Sequence, residues 1–492
     1  LAGNVDPHHH VAVADLILVK GRVRETVTRL VREHDPAVVG LSVMTFQRKT
    51  AFAIIDLIRS LRPGIKFVVG GYDPSLASEA YVDPNRGIDF IVRGEGEITF
   101  RELLRAIETA GSFADIDGLS YRSGDAFVHN RERALSTLDE NSGIRLPDRS
   151  ARVLSGYTLL GRQIDVIETS RGCTFDCSFC SIIEMRGRNF NKFSFDRVIA
   201  DIRDARDHGA RSIFIVDDNL VLNVKRFEGL CRAIIDAGLN TIEFSVQAMT
   251  SAIADHGDTL APLMRKAGFR YVFLGIENVS ESELKFLHAA SKNTKHENGK
   301  RAGNAALTAI EHLHRNHMFV IGGLIVGSPD DTRESIQANL DFARRYVDWP
   351  FIQHPTPYPR TPMTKALAEQ GLITSDRVEE YDGTTSVVKC ANLSAEEIEF
   401  MRWKAERWIK VGHWRALLRR DTLFMLRNIK PIFDFNFRGS TLRTFLGLED
   451  EWTAFRRYRR IRAAERNYLE PERVGVAARV PGRRRAREVV NK

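Results

Sequence analysis

Two spacings of apolar residues alternate along most of this chain. Continuous apolar runs at Val38–Val43 (VVGLSV), Lys66–Gly71 (KFVVGG) and Phe90–Glu97 (FIVRGEGE) end in turn residues and read as buried strands. Between the first two, Thr50–Gly64 (TAFAIIDLIRSLRPG) carries helical periodicity and stops at Pro63–Gly64. Strand and helix in alternation predict a Rossmann-like parallel sheet covered on both faces. A hairpin follows at Arg122–Asn130 (RSGDAFVHN), then a boundary loop at Arg145–Ser150 (RLPDRS).

From Ile164 the alternation resumes on a larger scale. Strands are expected at Asp165–Ser170, Ser212–Asp218, Ile242–Ala248, Tyr271–Asn278, Phe319–Gly327 and Phe351–Pro357. One intervening helix starts at the N-cap Ser194, carries Val198, Ile202 and Ala205 on one stripe, and ends at Gly209. Another starts where Ser280 and Glu283 have capping-box spacing. Six βα units predict a partial (βα)6 TIM-like barrel with its active site at the carboxyl ends of the strands. Beyond Pro362 the pattern is mainly helical, with a second capping box at Ser394 and Glu397 and one face made by Ile398, Met401, Ala405 and Trp408. The expected division is 1–145 for the sheet domain and linker, 150–362 for the barrel, 363–475 for a helical domain and 476–492 for a disordered basic tail.

The length of 492 residues suits two or three domains, and 43% hydrophobic residues is an ordinary globular content. No apolar run reaches the roughly 18 residues a membrane helix needs, and no secretory leader is legible, which predicts a cytoplasmic protein. The chain opens on Leu1 rather than Met, so part of a native N-terminus is expected to be missing. The net charge of +8 is uneven: residues 401–492 hold 24 Lys/Arg against 10 Asp/Glu, and the rest of the chain 48 against 54. The basic character therefore belongs to the C-terminal part. Five cysteines are too few and too clustered for a disulfide framework.

Three of them, Cys173, Cys177 and Cys180, fall within Glu168–Ile182 (ETSRGCTFDCSFCSI), directly after a predicted barrel strand. A structural zinc site wants four closed ligands, and no second pair exists, since Cys231 and Cys390 are isolated. Cys231 shares an apolar stripe with Phe227 and Ile234 or Ile235 and reads as a buried structural thiol. Three thiolates can hold three irons of a 4Fe–4S cluster and leave one iron open to an external ligand. The CxxxCxxC spacing, with Phe179 before the last cysteine, resembles the signature of the radical S-adenosylmethionine (SAM) enzymes. The resemblance implies a 4Fe–4S cluster on Cys173, Cys177 and Cys180, SAM on the open iron, and reductive cleavage to a 5′-deoxyadenosyl radical.

It also implies roles for residues at the ends of the strands. Asp217 or Asp218 in VDDN would hold the methionine amino group, against the alternative that Asp218 or Asn219 caps a helix. Glu277 in GIEN would accept from the ribose hydroxyls, against the alternative of a surface charge. Gly323, Ile325 and Gly327 in GLIVGSPD match a GxIxGxxE-like pattern that places Ile325 and Gly327 by the adenine, with Asp330 where the pattern has Glu. Phe179 and Gln247 complete the expected SAM-binding set.

A strand–helix sheet ahead of such a barrel resembles the cobalamin-binding subclass of this superfamily. Ser42, Gly70, Gly71, Gly94 and Glu95 are the matching landmarks, at strand ends where open parallel sheets bind ligands. Two departures stand out: Asp6–His10 (DPHHH) lacks the downstream glycine of a DxHxxG cobalt-ligand motif, and the sheet is one βα unit short. The subclass implies a methyltransferase acting on an unactivated carbon through cobalamin. Ring closure or rearrangement is the alternative within the superfamily, and a non-catalytic zinc or nucleic-acid binding protein the alternative outside it. An electron donor such as flavodoxin or ferredoxin and a small-molecule or lipid-like substrate are the implied partners.

In the C-terminal part Trp403, Trp408, Trp414, Phe424, Phe433, Phe435, Phe437, Trp452 and Phe455 intersperse with the positive charge. A helical cap that closes the barrel is the preferred expectation. Peripheral docking on an anionic membrane is the second, and single-stranded nucleic acid, with no recognised module, the least favoured.

Overall fold

In a computed structural model, the residues described are 1–297, 300–412, 422–436, 446–466, 468–469 and 487–488. The N-terminal sheet has five strands in the order β1 (Val38–Ser42), β2 (Lys66–Gly70), β3 (Phe90–Val92), β4 (Leu119–Ser123) and β5 (Ala126–His129). The first three are parallel, with Val39 opposite Phe67 and Val69 opposite Ile91, and the hairpin β4–β5 adds antiparallel. The sheet is therefore not purely parallel. α1 (Val23–His34) precedes β1, α2 (Arg48–Leu61) crosses from β1 to β2, and α3 (Tyr72–Leu76) and α4 (Gly96–Thr109) follow β2 and β3. Ile55, Phe67, Val69 and Ile91 form the core beneath α1 and α2. Residues before Val23 add no strand to this sheet, so β1 is its edge.

The second sheet has seven strands: β6 (Thr158–Leu159), β7 (Arg162–Ile167), β8 (Ser212–Ile215), β9 (Glu243–Met249), β10 (Phe269–Glu277), β11 (Phe319–Ile325) and β12 (Trp349–Gln353). They neighbour one another in chain order; β7 to β12 are parallel, and β6 pairs antiparallel to β7. This is the expected six-unit partial barrel, with a hairpin strand at one edge. β7, β8, β11 and β12 end two to four residues before the expected positions, β10 ends one before and β9 one after.

α5 (Ser181–Arg186) and α6 (Phe195–Asp207) follow β7, then α7 (Val224–Asp236), α8 (Thr250–Lys266), α9 (Glu281–Phe286), α10 (Ala306–Arg315), α11 (Arg333–Tyr346) and α12 (Pro362–Glu369). Ser194 caps α6 through the Arg197 amide. The box expected at Ser280 and Glu283 does not form: Ser280 makes no cap bond to α9, and its hydroxyl pairs with Ser282. Glu283 is buried instead. Cys231 is fully buried beside Phe227 and Ile234, as a structural thiol.

The helical part holds α13 (Ala395–Gly412), α14 (Thr422–Asn436) and α15 (Glu451–Glu465). The Ser394–Glu397 box forms in both directions. Ile398 and Met401 pack into the barrel core, while Trp403 and Phe455 are buried against each other. Trp408 donates to Glu451, and Trp452, 41% exposed, stacks on Phe400. Trp414 and Phe437, and the side chains of Phe424, Phe433 and Phe435, lie outside the described residues. So does most of the 476–492 tail; Arg487 and Glu488 pair antiparallel with Ser155 and Leu154. No helix among the described residues is long and apolar enough to cross a membrane.

Candidate active site

β7 ends at Ile167, and the loop that carries the cysteines begins there. Asp217, just past β8, pins its first turn: it accepts from the Thr169 amide (2.6 Å) and from the hydroxyls of Thr169 and Ser170 (both 2.5 Å). Burial pushes the Asp217 carboxyl up to about 6, against the pull of those donors. Asp218 accepts from the Gly172 amide at 2.7 Å. Further on, the Ser178 amide and hydroxyl bond the carbonyls of Leu287 and Phe286. Cys180 stands at the N-cap of α5.

Burial raises the thiol pKa of Cys177, and that of Cys180 to about 12. Burial thus disfavours both thiolates, and a strong cationic partner is what stabilises them. Among the described residues, the single set of three ligand atoms within 4.8 Å of one another is His8, His9 and Glu108. The three cysteine sulfurs are thus spread wider than one tetrahedral zinc allows, since about 2.3 Å Zn–S bonds bring sulfurs within about 4 Å. A cluster whose irons each take one thiolate fits that spread.

A cavity of about 1680 Å³ opens beside these thiols and runs along the concave face of the barrel. Phe179, Asp218, Gln247, Glu277 and Ile325 line it, as do Cys173, Cys177 and Cys180. Asp217 does not; its carboxylate is spent inside the wall, so the VDDN pair divides its labour. Neither Asp218 nor Asn219 is a side-chain helix cap; Asn223 caps α7. Asn219 lines the cavity, donates to the sulfurs of Cys173 and Met249, and has its Oδ1 buried without a partner. An orphaned acceptor beside Asp218 suits the ammonium of an amino acid.

Glu277 ends β10 after a register shift, with φ +59. It is buried and ion-paired to Lys292 at 2.5 Å, so it is not a surface charge. Lys292 lies over the Phe179 ring and neighbours Cys177 and Cys180 electrostatically. Sequence reasoning missed Lys292, because it sits in a polar stretch, AASKNTK, with no motif spacing to announce it. Gly327 has φ +96, and a Cβ there would meet Ile398 Cγ2 at 2.7 Å; it lies in the turn just behind the cavity wall. The carboxylate serving this turn is Asp331, which accepts from the Gly327 and Ser328 amides, whereas Asp330 is exposed.

Ser42, Gly70, Gly71 and Gly94 gather at the carboxyl ends of β1, β2 and β3. Gly71 has φ +98, and a Cβ there would come within 3.0 Å of Ser42 Oγ and Val43 N; nothing lies within 4 Å of a Cβ at Gly94. Gly71 is thus held to glycine by its φ and by its close fit on Ser42 and Val43, while Gly94 leaves open space beside the strand ends where an extended ligand tail can lie. Glu95 is placed differently: it accepts from the Ser136 amide and faces Arg171 (3.2 Å) and Arg186 (3.6 Å). With Glu97 and Glu168 also on Arg171, at 2.6 and 2.8 Å, the RGEGE segment clamps the sheet domain to the cysteine loop. Both strand-end edges therefore face one junction, where α3 packs on α5 and Tyr72 neighbours Asp218, Arg186 and Cys180. The histidine run is remote from it, since His8 and His9 lie against Glu108 in the last turn of α4 and the Gly94 edge lies beyond its first.

Residues 167–343 match the radical SAM superfamily, and residues 8–104 match the B12 binding domain. The chain belongs to the radical SAM superfamily. Within it, this is a member with an N-terminal B12-binding domain, a cobalamin-dependent radical SAM enzyme whose cofactors are a 4Fe–4S cluster, SAM and cobalamin. It is similar to a protein of Pyrococcus horikoshii described as an uncharacterized methyltransferase, 27% identical over 82% of this chain and 85% of that one. It is also similar to the anaerobic magnesium-protoporphyrin IX monomethyl ester cyclase of Cereibacter sphaeroides, 25% identical over 81% of this chain and 63% of the cyclase, so the radical SAM chain described here spans about three-fifths of that protein's length. In fold it resembles the radical SAM methyltransferase TsrM of Kitasatospora setae, with TM-score 0.58, 21% identity, and 72% and 68% of the two chains covered.

Proposed function

We propose that this radical SAM enzyme transfers a methyl group to an unactivated carbon of a substrate held in the barrel cavity. The observation that carries the reading is the shared junction: the strand-end edge at Gly71 and Gly94 and the cysteine loop meet across α3 and α5, above one cavity. Cofactors held at these two edges would both open on that junction. When bound, cluster and SAM supply a hydrogen-abstracting radical, and cobalamin supplies the methyl group.

The chain's own residues hold and shield. Cys173, Cys177 and Cys180 would ligate the cluster, with Asp217 fixing the turn that leads to them. Asp218 and Asn219 would take the SAM ammonium, and Glu277, steadied by Lys292, the ribose hydroxyls. Ile325 and Phe179 supply apolar wall by which water is excluded. Similarity over most of both chains to a protein named as an uncharacterized methyltransferase supports the reading.

The test needs no substrate. Holoenzyme reduced anaerobically with a low-potential reductant, so that its cobalamin reaches the cob(I) state, and given SAM with a deuterated methyl group should pass the label to that cobalamin, read by mass spectrometry. Under reduction it should also form 5′-deoxyadenosine. Formation of 5′-deoxyadenosine with no label on cobalamin would remove methyl transfer and favour the cyclase-like chemistry of the second relative.

A further inference from the structure

The barrel does not fill its own interior. On β7, β8 and β12 the residues under the helices are sealed, Ile167 at 2%, Ile215 at 0% and Ile352 at 1% exposure. Their inward-facing neighbours Val166, Val216 and Phe351 are 48%, 37% and 42% exposed. A closed barrel of this type packs its interior with layers of side chains; here those layers are missing. A pocket for one drug-sized ligand such as SAM measures about 300–1000 Å³. The cavity of about 1680 Å³ therefore leaves room for a second body of comparable size. Away from the thiols its wall is apolar and aromatic, from Phe214, Tyr271, Phe273, Trp349 and Phe351.

At the β12 side the wall changes character. Arg402, Tyr458 and Arg462 line it, and all three come from α13 and α15. Arg402 is 2% exposed; it pairs with Glu406 at 3.0 Å, donates to the Tyr458 hydroxyl at 3.3 Å, and keeps its Nε buried without a partner. Arg462 donates to the same hydroxyl at 2.7 Å and pairs with Asp382 at 2.6 Å. A phenolic oxygen accepts at most about two hydrogen bonds, and both places are taken by guanidinium donors. Its proton has no acceptor among the described residues. The apolar chamber thus ends in one O–H that needs an acceptor, beside Lys430 and two guanidinium groups whose charge Glu406 and Asp382 offset.

We propose that the substrate is a bulky, largely apolar molecule bearing a carboxylate, its body between the chamber aromatics and its carboxylate on the Tyr458 hydroxyl. This rests on the reading of the chamber as the substrate site of the methyl transfer proposed above. An anion accepts the orphan hydroxyl proton, whereas an apolar end would leave that donor unmet.

The test uses anaerobic holoenzyme and two probe acids, the linear cis-parinaric acid and the flat mesoporphyrin IX, each beside its methyl ester. Binding is followed by the fluorescence gain of the parinaric pair and by equilibrium dialysis of the porphyrin pair. At least one acid should bind ten-fold or more tightly than its ester. Tyr458→Phe, which keeps the ring packing, should bring the acid to the affinity of the ester and leave the ester unchanged. Phe351→Glu, in the apolar wall, should weaken acid and ester alike. Absence of binding by either acid, equal affinity of acid and ester, or a preference that survives Tyr458→Phe overturns the proposal. The label transfer from SAM to cobalamin is read separately on unaltered enzyme. If it succeeds while the acids fail, only the substrate class is lost; if it fails, the methyl-transfer reading falls whatever the probes do.

Discussion

Asp217 and Asp218 show how far one position moves a carboxylate in purpose: the first is buried in hydrogen bonds to the loop, the second reaches the cavity. The Glu277–Lys292 pair is the other decisive contact at this scale. It is mostly buried, so removing one partner strands a charge, and such breaks cost about 3–5 kcal/mol. Lys292→Met should lower the unfolding free energy of the cluster-free protein by about 3 kcal/mol. Adding Glu277→Gln should recover most of that loss, both read from urea titrations. His354, 2% exposed, is a third case: its Nδ1 bonds the Val326 carbonyl, its Nε2 has no partner, and burial with Arg402 nearby pushes its pKa down to about 3. The unfolded chain protonates it near pH 6.5 and the folded chain does not. Its share of stability is complete above that pH and declines as the pH falls towards 3. At pH 5 the loss is about 2 kcal/mol. His354→Gln should flatten the fall in melting temperature between pH 7 and pH 5; an unchanged slope would place the acid sensitivity elsewhere.

At the scale of elements, glycine and bulge set the mouth of the barrel. The shift in β10 before Glu277 and the left-handed Gly327 just beyond β11 turn two strand ends at the cavity. Alanine at 327 would carry both a strained φ and a Cβ at 2.7 Å from Ile398 of α13. Each of these costs about 1–3 kcal/mol. Gly327→Ala should therefore shift the urea midpoint down by an amount worth at least about 2 kcal/mol, while Gly238→Ala, in open space though also left-handed, should cost the smaller backbone part alone. Capping was legible only in part. Ser194 and Ser394 cap as their spacing announces, but Ser280 does not, because Glu283 is drawn into the core beside Ser328 and Asp331. Local spacing proposes a cap, and the tertiary neighbours decide whether its side chains are free to make it.

Over the whole molecule, the domain junction is electrostatic. Arg171 meets Glu95, Glu97 and Glu168, and all are largely buried except Glu168, which is partly exposed. Arg171→Met should loosen the sheet domain from the barrel, so that cobalamin is retained several-fold less well through gel filtration while iron content is kept. Equal loss of both would mean the clamp serves the cysteine loop alone.

The sequence by itself determined the two α/β units, their order and the classes of cofactor that the spacing of three cysteines and the strand-end glycines announce. These follow from periods of apolar residues and from short spacings, which are properties of neighbours along the chain. The roles of Glu95, Lys292, Arg402 and Tyr458 were decided only by the tertiary structure. Each depends on a partner far away in the chain or, for Lys292, across an irregular loop, and no periodicity records such a meeting. The hollow interior is of the same kind: Val166 and Phe351 look like ordinary strand residues until the curvature of the sheet shows that nothing covers them.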